Sequence, residues 1–306
     1  MSTLSDPLSL SAPRGADAGL TPQQLVAKYG LTVSGARPPL RKYVRQLWSR
    51  RHFIMSFATA RLVAQYSTAK LGQVWQVVTP LLNCVVYFLV FGLILSGSKS
   101  MDYYIPWLCI GVFTFQFIQT AVQSGTRAIS DSLGLIRALH FPRACLPIAF
   151  TIIQLQQLLI SMVVLVAIVL ISGISPGLTW LLVIPAVALL CVFNTGLALA
   201  MARVGAKTTD MAQLMPFILR TWMYLSGVFY SIEANIKSWP HWIQVMADVN
   251  PAAVYMDLIR YAFDPSAINR AGLPPHVWAV SVGWAVVAGL FGFVFFWKAE
   301  EQYGRG

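Results

Sequence analysis

The segment "LMPFILRTWMYLSGVFYS", residues 214–231, decides the class of this protein. It is apolar over nearly its whole length, which approaches the roughly 20 helical residues that cross a hydrocarbon core of about 30 Å. Arg220 is its one charged side chain. A charge at mid-bilayer costs several kcal/mol, so we expect Arg220 to face a polar interior. If Pro216 marks the helix start instead, Arg220 lies one turn from the cytoplasmic interface and can reach it.

The composition extends this interpretation to the whole chain. Of 306 residues, 57% are hydrophobic and 11% are charged, and the mean hydropathy is +0.65. Soluble domains carry about 25% charged residues, so we predict an all-α integral membrane protein. Continuous apolar runs favour helices over the alternating strands of a barrel. Six runs are long enough to span: 72–95, 104–126, 145–171, 178–202, 213–231 and 276–297.

Lysine and arginine are distributed unequally between the two sides of these spans. With Arg220 set aside, seventeen fall on the side of both termini and four on the opposite side. Because positive residues concentrate in cytoplasmic segments, we predict that both termini are cytoplasmic. This asymmetry and attraction to anionic lipids account for the net charge of +11, so no nucleic-acid partner is needed.

The segments on the predicted cytoplasmic side suggest two docking elements. We predict a flexible cytoplasmic extension over 1–38, the transmembrane domain over 63–298 and a cytoplasmic tail over 299–306. Residues 39–62 alternate apolar and basic positions at helical spacing, which predicts an amphipathic interface helix rather than a basic flank alone. The second connection, "SDSLGLIRALHFPRACLP", predicts a short helix that Ser130 or Asp131 caps and Pro142 ends. That helix is either a docking element or a plain connector.

The external connection after the fifth span is about 44 residues long. Ser238 and Asn250 are good helix caps, and Pro240 and Pro251 follow them in the first turns. We therefore predict two short helices in a hairpin over 235–264, too short to cross the membrane. A re-entrant gate over a conduit is the preferred interpretation, because long ordered loops are usually functional. A surface decoration is the alternative.

Amide and hydroxyl side chains recur on one face of each of the first three spans. A lipid-facing helix would not concentrate amides in this way, so we predict a wet or sugar-lined interior. The alternative is that these groups join helices, through bonds that average about 0.6 kcal/mol. The residues are Gln73, Gln76, Thr79 and Asn83 in the first span, Gln116, Gln119, Thr120 and Gln123 in the second, and Thr151, Gln154, Gln157 and Ser161 in the third.

Catalytic chemistry is a poor fit to this sequence. It has eleven carboxylates, none convincingly within a span, and neither an HExxH nor a GxSxG motif. The four cysteines lack metal-ligand spacing. We predict no catalytic residue, no metal site and no cofactor bound by this chain. The spans lack the acidic and histidine relays of proton-coupled carriers, so transport energy is expected to come from another polypeptide.

Four local patterns in a fixed order carry a resemblance to a known family. They are "ARLVAQYSTAKLGQVWQVVTPLL" (60–82), "HFPRACLP" (140–147), "LSGVFYS" (225–231) and "VNPAAVYMDLIRYAF" (249–263). Across 40–298 the chain resembles the membrane (permease) subunit of bacterial ABC exporters for lipid-linked polysaccharide, the group that exports O-antigen, teichoic acid and actinobacterial galactan. Two departures are Gly227, where many members carry proline, and residues 1–38, which have no counterpart.

The resemblance implies a plasma-membrane half-transporter that dimerises and binds two copies of a cytosolic ATPase, where ATP and Mg²⁺ would bind. The substrate would be a lipid-linked glycan, such as a cell-wall galactan, moved from the cytoplasmic to the outer leaflet. A drug or small-lipid exporter, a membrane glycosyl or acyl transferase and a gradient-driven carrier stay open as alternatives.

Site residues follow partly from the polar faces and partly from this resemblance. Phe229 and Tyr230 are assigned to an external aromatic belt rather than to the site. The candidate channel residues are Gln73, Gln76, Asn83, Tyr87, Phe88, Gln119, Gln123, Arg220, Trp222 and Tyr224. The candidate gate residues are Trp239, Trp242, Asn250 and Tyr255. The candidate ATPase-coupling residues are Arg45, Arg50, Asp131, Arg137, His140 and Arg143.

Overall fold

A computed structural model describes residues 24, 28, 38–67, 70–94, 103–139, 141–230, 240–264 and 276–303, and every regular element among them is helical. Most of the predicted extension 1–38 therefore lies outside the described residues. Short 3₁₀ turns occupy Gly72–Val74, Ser130–Ser132, Leu178–Leu182 and Glu300–Gln302, and π-helical turns follow α3 over Phe88–Ile94. The α-helices are α1 Leu40–Ser49, α2 Arg51–Ser67, α3 Trp75–Tyr87, α4 Tyr104–Arg127, α5 Leu133–Ala138, α6 Cys145–Ile171, α7 Val183–Lys207, α8 Met211–Leu225, α9 His241–Asp248, α10 Pro251–Phe263 and α11 Val277–Trp297.

Among the described residues, four helical stretches are long and apolar enough to cross a membrane. They are Tyr104–Arg127, Cys145–Ile171, Leu178–Lys207 and Val277–Trp297. These coincide with four of the predicted spans. The helical stretch Leu178–Lys207 runs five residues past the predicted end of its span at 202. The apolar helix Trp75–Phe91 is shorter, and α8 has only 15 residues. The chain is therefore a multi-pass membrane protein.

The fifth predicted span, 213–231, is too long at its C-terminal end. The helix α8 ends at Leu225, and the chain turns at Gly227, whose φ of 65° lies in the left-handed region. Glycine adopts this conformation without the steric cost that a side chain brings. The structure has a full break here, which directs Phe229 back toward α4. The Tyr104 hydroxyl donates to the Phe229 carbonyl at 3.2 Å.

The predicted interface helix 39–62 is two helices rather than one. The chain breaks at Arg50, and α2 continues to Ser67. The two helices pack on different partners, which gives the break its physical reason. Tyr43 of α1 is buried with residues that follow α11, whereas Ile54 and Ala58 of α2 are buried against α6. A straight helix would not reach both surfaces.

Helix α4 is the centre of the fold. Most of its side chains are buried, and it packs against α6, α7, α8 and α10. The other close pair is α7 with α11, where a Cβ on Gly196 would overlap the Ala288 backbone and a Cβ on Gly292 would overlap the Gly196 backbone. Small residues at such crossings allow close van der Waals packing between membrane helices. The fold thus holds α4 rigidly and leaves α3 and α8 at its periphery.

The predicted caps have mixed outcomes. The Asn250 side chain accepts a hydrogen bond from the Ala252 amide at 3.1 Å, with Pro251 in the first turn, so this cap is confirmed. Ser130 donates instead to the Arg127 carbonyl, and α5 has no side-chain cap. It ends at Ala138, four residues before Pro142. Ser238 lies outside the described residues.

Candidate functional site

The polar faces of the first three predicted spans meet at one cavity of about 60 Å³. Helices α3, α4 and α6 form its walls, and the C-terminal end of α2 contributes one aromatic ring. Of the candidate channel residues, Gln76 lines it and is buried. The lining consists of Tyr66, Trp75, Gln76, Thr79, Pro80, Phe113, Gln116, Phe117, Thr120, Gln154, Gln157, Leu158 and Ser161.

Hydrogen bonds hold part of this lining in place. Gln157 donates to the Tyr66 hydroxyl at 3.0 Å, and Gln154 donates to Ser124 at 3.4 Å. These bonds join α6 to α2 and α4, as the helix-joining alternative expects, but they leave an open volume between the helices. Asn83, Gln119 and Gln123 are half-buried and lie outside the cavity lining, and the Gln73 side chain is not among those described.

Helix α8 presents an exposed face on which polar side chains lie among apolar ones such as Phe217. It starts at Met211 with Pro216 inside it, so Arg220 lies about 13 Å along the helix, well past the first turn. Arg220 is exposed, as are Thr221 and Tyr224 on the same face. Arg220 also lies within electrostatic range of the Tyr87 hydroxyl on α3. The interpretation that Pro216 starts the helix is therefore wrong.

An aromatic cluster joins α3 to the turn after α8. Phe229 is at its centre, with ring centroids 4.9 Å from Tyr87, 4.2 Å from Phe91 and 5.6 Å from Tyr224. Phe229 is 3% exposed, so its assignment to an external belt is wrong. The reversal of the chain at Gly227 turns the Phe229 ring inward. The burial of Phe229 could have been predicted only if that turn had been predicted from the sequence. Phe88 packs against the core.

The hairpin of α9 and α10 is tied to α8 through Asn250. The Trp222 indole donates to the Asn250 side-chain oxygen at 3.0 Å, and the Asn250 amide donates to Ser226 at 3.1 Å. A candidate channel residue and a candidate gate residue are thus in direct contact. Tyr255 is fully buried and donates to the Ser281 carbonyl on α11 at 2.8 Å. Trp242 is 64% exposed, and Trp239 lies outside the described residues.

Arg260 is a buried charge that the sequence analysis missed. Its guanidinium lies 3.5 Å from the centroid of the Trp107 ring and donates to the Gly227 carbonyl at 3.2 Å. It also forms an ion pair with Asp257 at 3.2 Å. A Cβ at Gly111 would lie 2.7 Å from this guanidinium, so the glycine makes room for it. Arg260 follows Tyr255 in an amphipathic helix, and nothing in that sequence pattern indicates that the Arg260 side chain is buried.

On the predicted cytoplasmic side, four of the coupling candidates are exposed. They are Arg45 and Arg50, from α1 and its end, and Asp131 and Arg137, from the connection that contains α5. Exposed side chains on this side can contact a soluble partner. His140 lies outside the described residues. Arg143 differs from the rest, because its guanidinium and its backbone amide both bond to Glu300.

The predicted tail 299–306 is packed rather than free where it is described. Glu300 is buried and accepts hydrogen bonds from the Tyr43 hydroxyl at 2.8 Å and the Arg143 amide at 2.9 Å. The Ala144 amide donates to the same Tyr43 hydroxyl at 3.2 Å. Burial raises the pKa of Glu300, although the bonds from Arg143 and Tyr43 oppose the shift. Burial and the nearby Glu300 raise the pKa of Tyr43. The hydrogen bonds around Glu300, here called the joint at Glu300, link α1, the residues after α5 and the end of α11.

Comparison with known proteins now adds to this geometry. The family model for the ABC-2 type transporter matches residues 54–263, more than half of the chain. The chain belongs to the ABC-2 type transporter family. This is a family of transporter membrane subunits, in agreement with the permease expected from the sequence.

Curated proteins similar to this ABC-2 transporter chain include two permeases. The O-antigen export system permease protein RfbA of Myxococcus xanthus is 25% identical over 194 residues, which cover 63% of this chain and 73% of that protein. A protein of the same name from Klebsiella pneumoniae is 22% identical over 173 residues, or 56% of this chain and 66% of that protein.

The ABC-2 family match covers the cavity, the exposed face of α8 and the hairpin of α9 and α10. It ends at Phe263 and begins within α2, so it leaves out α1, α11 and Glu300. The joint at Glu300 therefore connects the matched ABC-2 region, through Arg143, to two elements that flank it.

Proposed function

We propose that this chain is the transmembrane subunit of an ATP-driven exporter that moves a lipid-linked polysaccharide from the cytoplasmic to the outer leaflet. Family membership supports a transporter subunit, and the relatives named as O-antigen export permeases support a polysaccharide as the substrate. The chain would work as a homodimer in the bacterial plasma membrane, with both termini cytoplasmic.

The exposed face of α8 is the observation that carries this proposal. A guanidinium about 13 Å along an apolar helix cannot face lipid without a cost of several kcal/mol. Arg220, Thr221 and Tyr224 share that face, beside Tyr87 of α3. A second copy that covers this face would enclose a polar passage between the two subunits, with aromatic rings along its wall. Polar and aromatic groups together suit a sugar chain.

The remaining elements take roles around that passage. In this proposal α3 with its π turns and α8 are the first and fifth of six spans. The hairpin of α9 and α10 is the external gate, because Asn250 links it directly to Trp222 and Ser226 on and after α8. The exposed charges of α1 and of the α5 connection dock two copies of a cytosolic ABC ATPase, which binds ATP and Mg²⁺.

The test is reconstitution of the chain with its ATPase in proteoliposomes. We expect ATP-dependent appearance of a polyprenyl-linked glycan on the far side of the membrane, and no movement without the ATPase. Stimulation of ATP hydrolysis by a hydrophobic drug but not by the glycan lipid would indicate a drug exporter. Sugar or acyl transfer by the chain alone would indicate a transferase, and loss of transport to an uncoupler at constant ATP would indicate a gradient-driven carrier.

The docking part of the proposal has its own variant. Charge reversal in Arg137→Glu should uncouple ATP hydrolysis from export, because Arg137 is exposed on the α5 connection. Lys298→Glu changes an exposed cation of the same side that is not among the coupling candidates, and serves as its control. Unchanged export by Arg137→Glu would remove the coupling role from this helix.

A further inference from the structure

The cavity between α3, α4 and α6 combines amides, hydroxyls and aromatic rings. Among the described residues, its lining contains no Asp, Glu, Lys, Arg or His. Four of its side chains are glutamines, and four are aromatic. Carboxamides both donate and accept hydrogen bonds, so each can bond to a pair of neighbouring hydroxyls. The aromatic rings offer apolar faces that suit the C–H face of a sugar ring.

The absence of charge restricts what this cavity can hold. A phosphate or a carboxylate placed here would be desolvated without a cation to pair with it, which costs several kcal/mol. A hydrocarbon chain would leave the Gln116 carboxamide without a hydrogen-bond partner, which also costs free energy. A neutral ligand rich in hydroxyl groups avoids both costs.

The cavity lies within the helix bundle and is joined to the interface helices. Gln116 is about 16 Å from the end of α4 at Arg127, and Gln76 is the second residue of α3. Gln116 is therefore near the middle of α4, whereas Gln76 is at the end of α3 predicted to be cytoplasmic, so the cavity extends from mid-membrane toward that side. Tyr66 of α2 forms part of its wall and accepts a bond from Gln157.

One lining residue has its bonding capacity available. Among the described residues, the Gln116 carboxamide makes no hydrogen bond, because the bond between this residue and Thr120 uses the Gln116 backbone carbonyl at 2.8 Å. It is half-buried and faces the cavity. A volume of about 60 Å³ accommodates roughly four water molecules, so one edge of a single sugar enters rather than a whole oligosaccharide.

We infer that this cavity is a recognition site, within each subunit, for a neutral sugar unit of the transported glycan. The inference rests on the proposed function and deepens it, since it assigns the glycan to the uncharged class. The site is separate from the face of α8, because no residue of α8 lines the cavity. Each subunit would bind one neutral sugar unit before the glycan enters the passage.

The test measures binding to the full chain in lipid nanodiscs without ATP. The probe is a polyprenyl diphosphate that carries three neutral hexoses. Three comparison ligands separate the sources of affinity: the same lipid without sugar, the free trisaccharide, and the same lipid with a uronic acid in place of one hexose. We expect the neutral glycan lipid to bind at least fivefold more tightly than the sugar-free lipid and than the acidic one.

Variants of three glutamines decide whether the cavity is responsible. Gln116→Leu should weaken binding of the neutral glycan lipid about fivefold, without lowering the melting temperature, since the side chain makes no bond within the described protein. Gln157→Leu should weaken it similarly but also lower the melting temperature, because it loses the bond to Tyr66. Gln156→Leu is the matched control on the same helix: it donates to Thr59 at 3.2 Å, away from the cavity, and should bind the probe as the wild type does.

Three results would overturn the inference: wild-type affinity in Gln116→Leu, equal affinity for the sugar-free lipid, or preference for the acidic glycan. Each is distinguishable from failure of the proposed function. If the wild-type chain with its ATPase exports glycan while Gln116→Leu binds normally, the exporter stands and the recognition site is wrong. If the wild-type chain exports no glycan, neutral or acidic, the proposed function itself fails.

Discussion

Two arginines on neighbouring elements have opposite surroundings. Arg260 of α10 is buried under an aromatic ring, an aspartate and a backbone carbonyl. Arg220 of α8 is exposed, donates no hydrogen bond to another described residue and pairs with no described carboxylate. Both lie in segments rich in apolar residues. A charge that the subunit satisfies internally supports the fold, whereas a charge left exposed on a membrane helix indicates that something outside the subunit completes its surroundings.

The largest expected effect is on the internally satisfied charge. Replacement in Arg260→Leu leaves the Gly227 carbonyl and Asp257 without their partner, and we expect a loss of about 3 kcal/mol, or about 8 °C in melting temperature. Asp257 is 44% exposed, so water can partly solvate it and the loss stays at the low end for buried pairs. Thermal unfolding of the purified protein in detergent measures it.

Two further variants sharpen this prediction. Arg260→Lys keeps the charge but lacks the planar fork and its stacking, so it should recover less than half of the loss. Gly111→Ala leaves Arg260 in place and puts a methyl group in its way, so it should also destabilise. A melting temperature for Arg260→Leu within about 1 °C of the wild type would mean that the pairing contributes nothing.

The next largest effect is expected at Asn250, whose hydrogen bonds join α8 to the hairpin of α9 and α10. Asn250→Ala removes both the cap of α10 and the acceptor for Trp222, for an expected loss of about 2 kcal/mol or about 5 °C. Asn250→Asp keeps both acceptor functions and serves as its control. An equal loss in the two variants would show that the bond from Asn250 to Ser226 matters more than the cap.

For the exposed charge, we expect an effect on transport rather than on stability. Arg220→Leu should leave the melting temperature within about 1 °C of the wild type, because exposed substitutions away from packed features change stability little. Export of glycan in proteoliposomes should fall about tenfold, while Arg220→Lys retains most of it. Normal export by Arg220→Leu would assign the charge to the membrane interface and not to a passage.

The smallest expected effect concerns Glu300. Like Arg260 it is an ionisable side chain that is buried, and it accepts hydrogen bonds from Tyr43 and Arg143. Burial raises its pKa above the ordinary value of 4.5, so the folded protein holds this proton at a pH where the unfolded chain has released it. Stability should therefore fall as the pH rises from about 4.5 through the raised pKa, and stay level above it. We expect a change of about 2 °C in melting temperature across that window.

The control for this pH effect is Glu300→Gln, which cannot ionise and should flatten that part of the profile. Tyr43 contacts Glu300 directly, and burial raises the pKa of its hydroxyl above the ordinary value, so it stays protonated across this range. A profile that keeps its slope in Glu300→Gln would place the pH dependence elsewhere in the protein.

The candidate site was predictable to different degrees. The amide faces of the first three spans were visible as periodic patterns, and the structure brings part of each face to one cavity, whereas Asn83, Gln119 and Gln123 lie outside its lining. The contact between Trp222 and Asn250 joins residues selected for separate reasons. Phe229, Arg260 and Glu300 were missed or misassigned, because each acquires its surroundings from residues that are distant in the chain, such as Tyr43 for Glu300.

The sequence by itself determined the membrane class, the helical fold and the positions of four long spans. These follow from hydrophobicity summed over about twenty neighbouring residues, which is a local property. Tertiary structure alone decided where α8 ends, that the interface helix divides at Arg50, and which charges are paired. Those features depend on the shape of a partner surface and on a single left-handed glycine, and neither is encoded in the hydrophobic pattern of one segment.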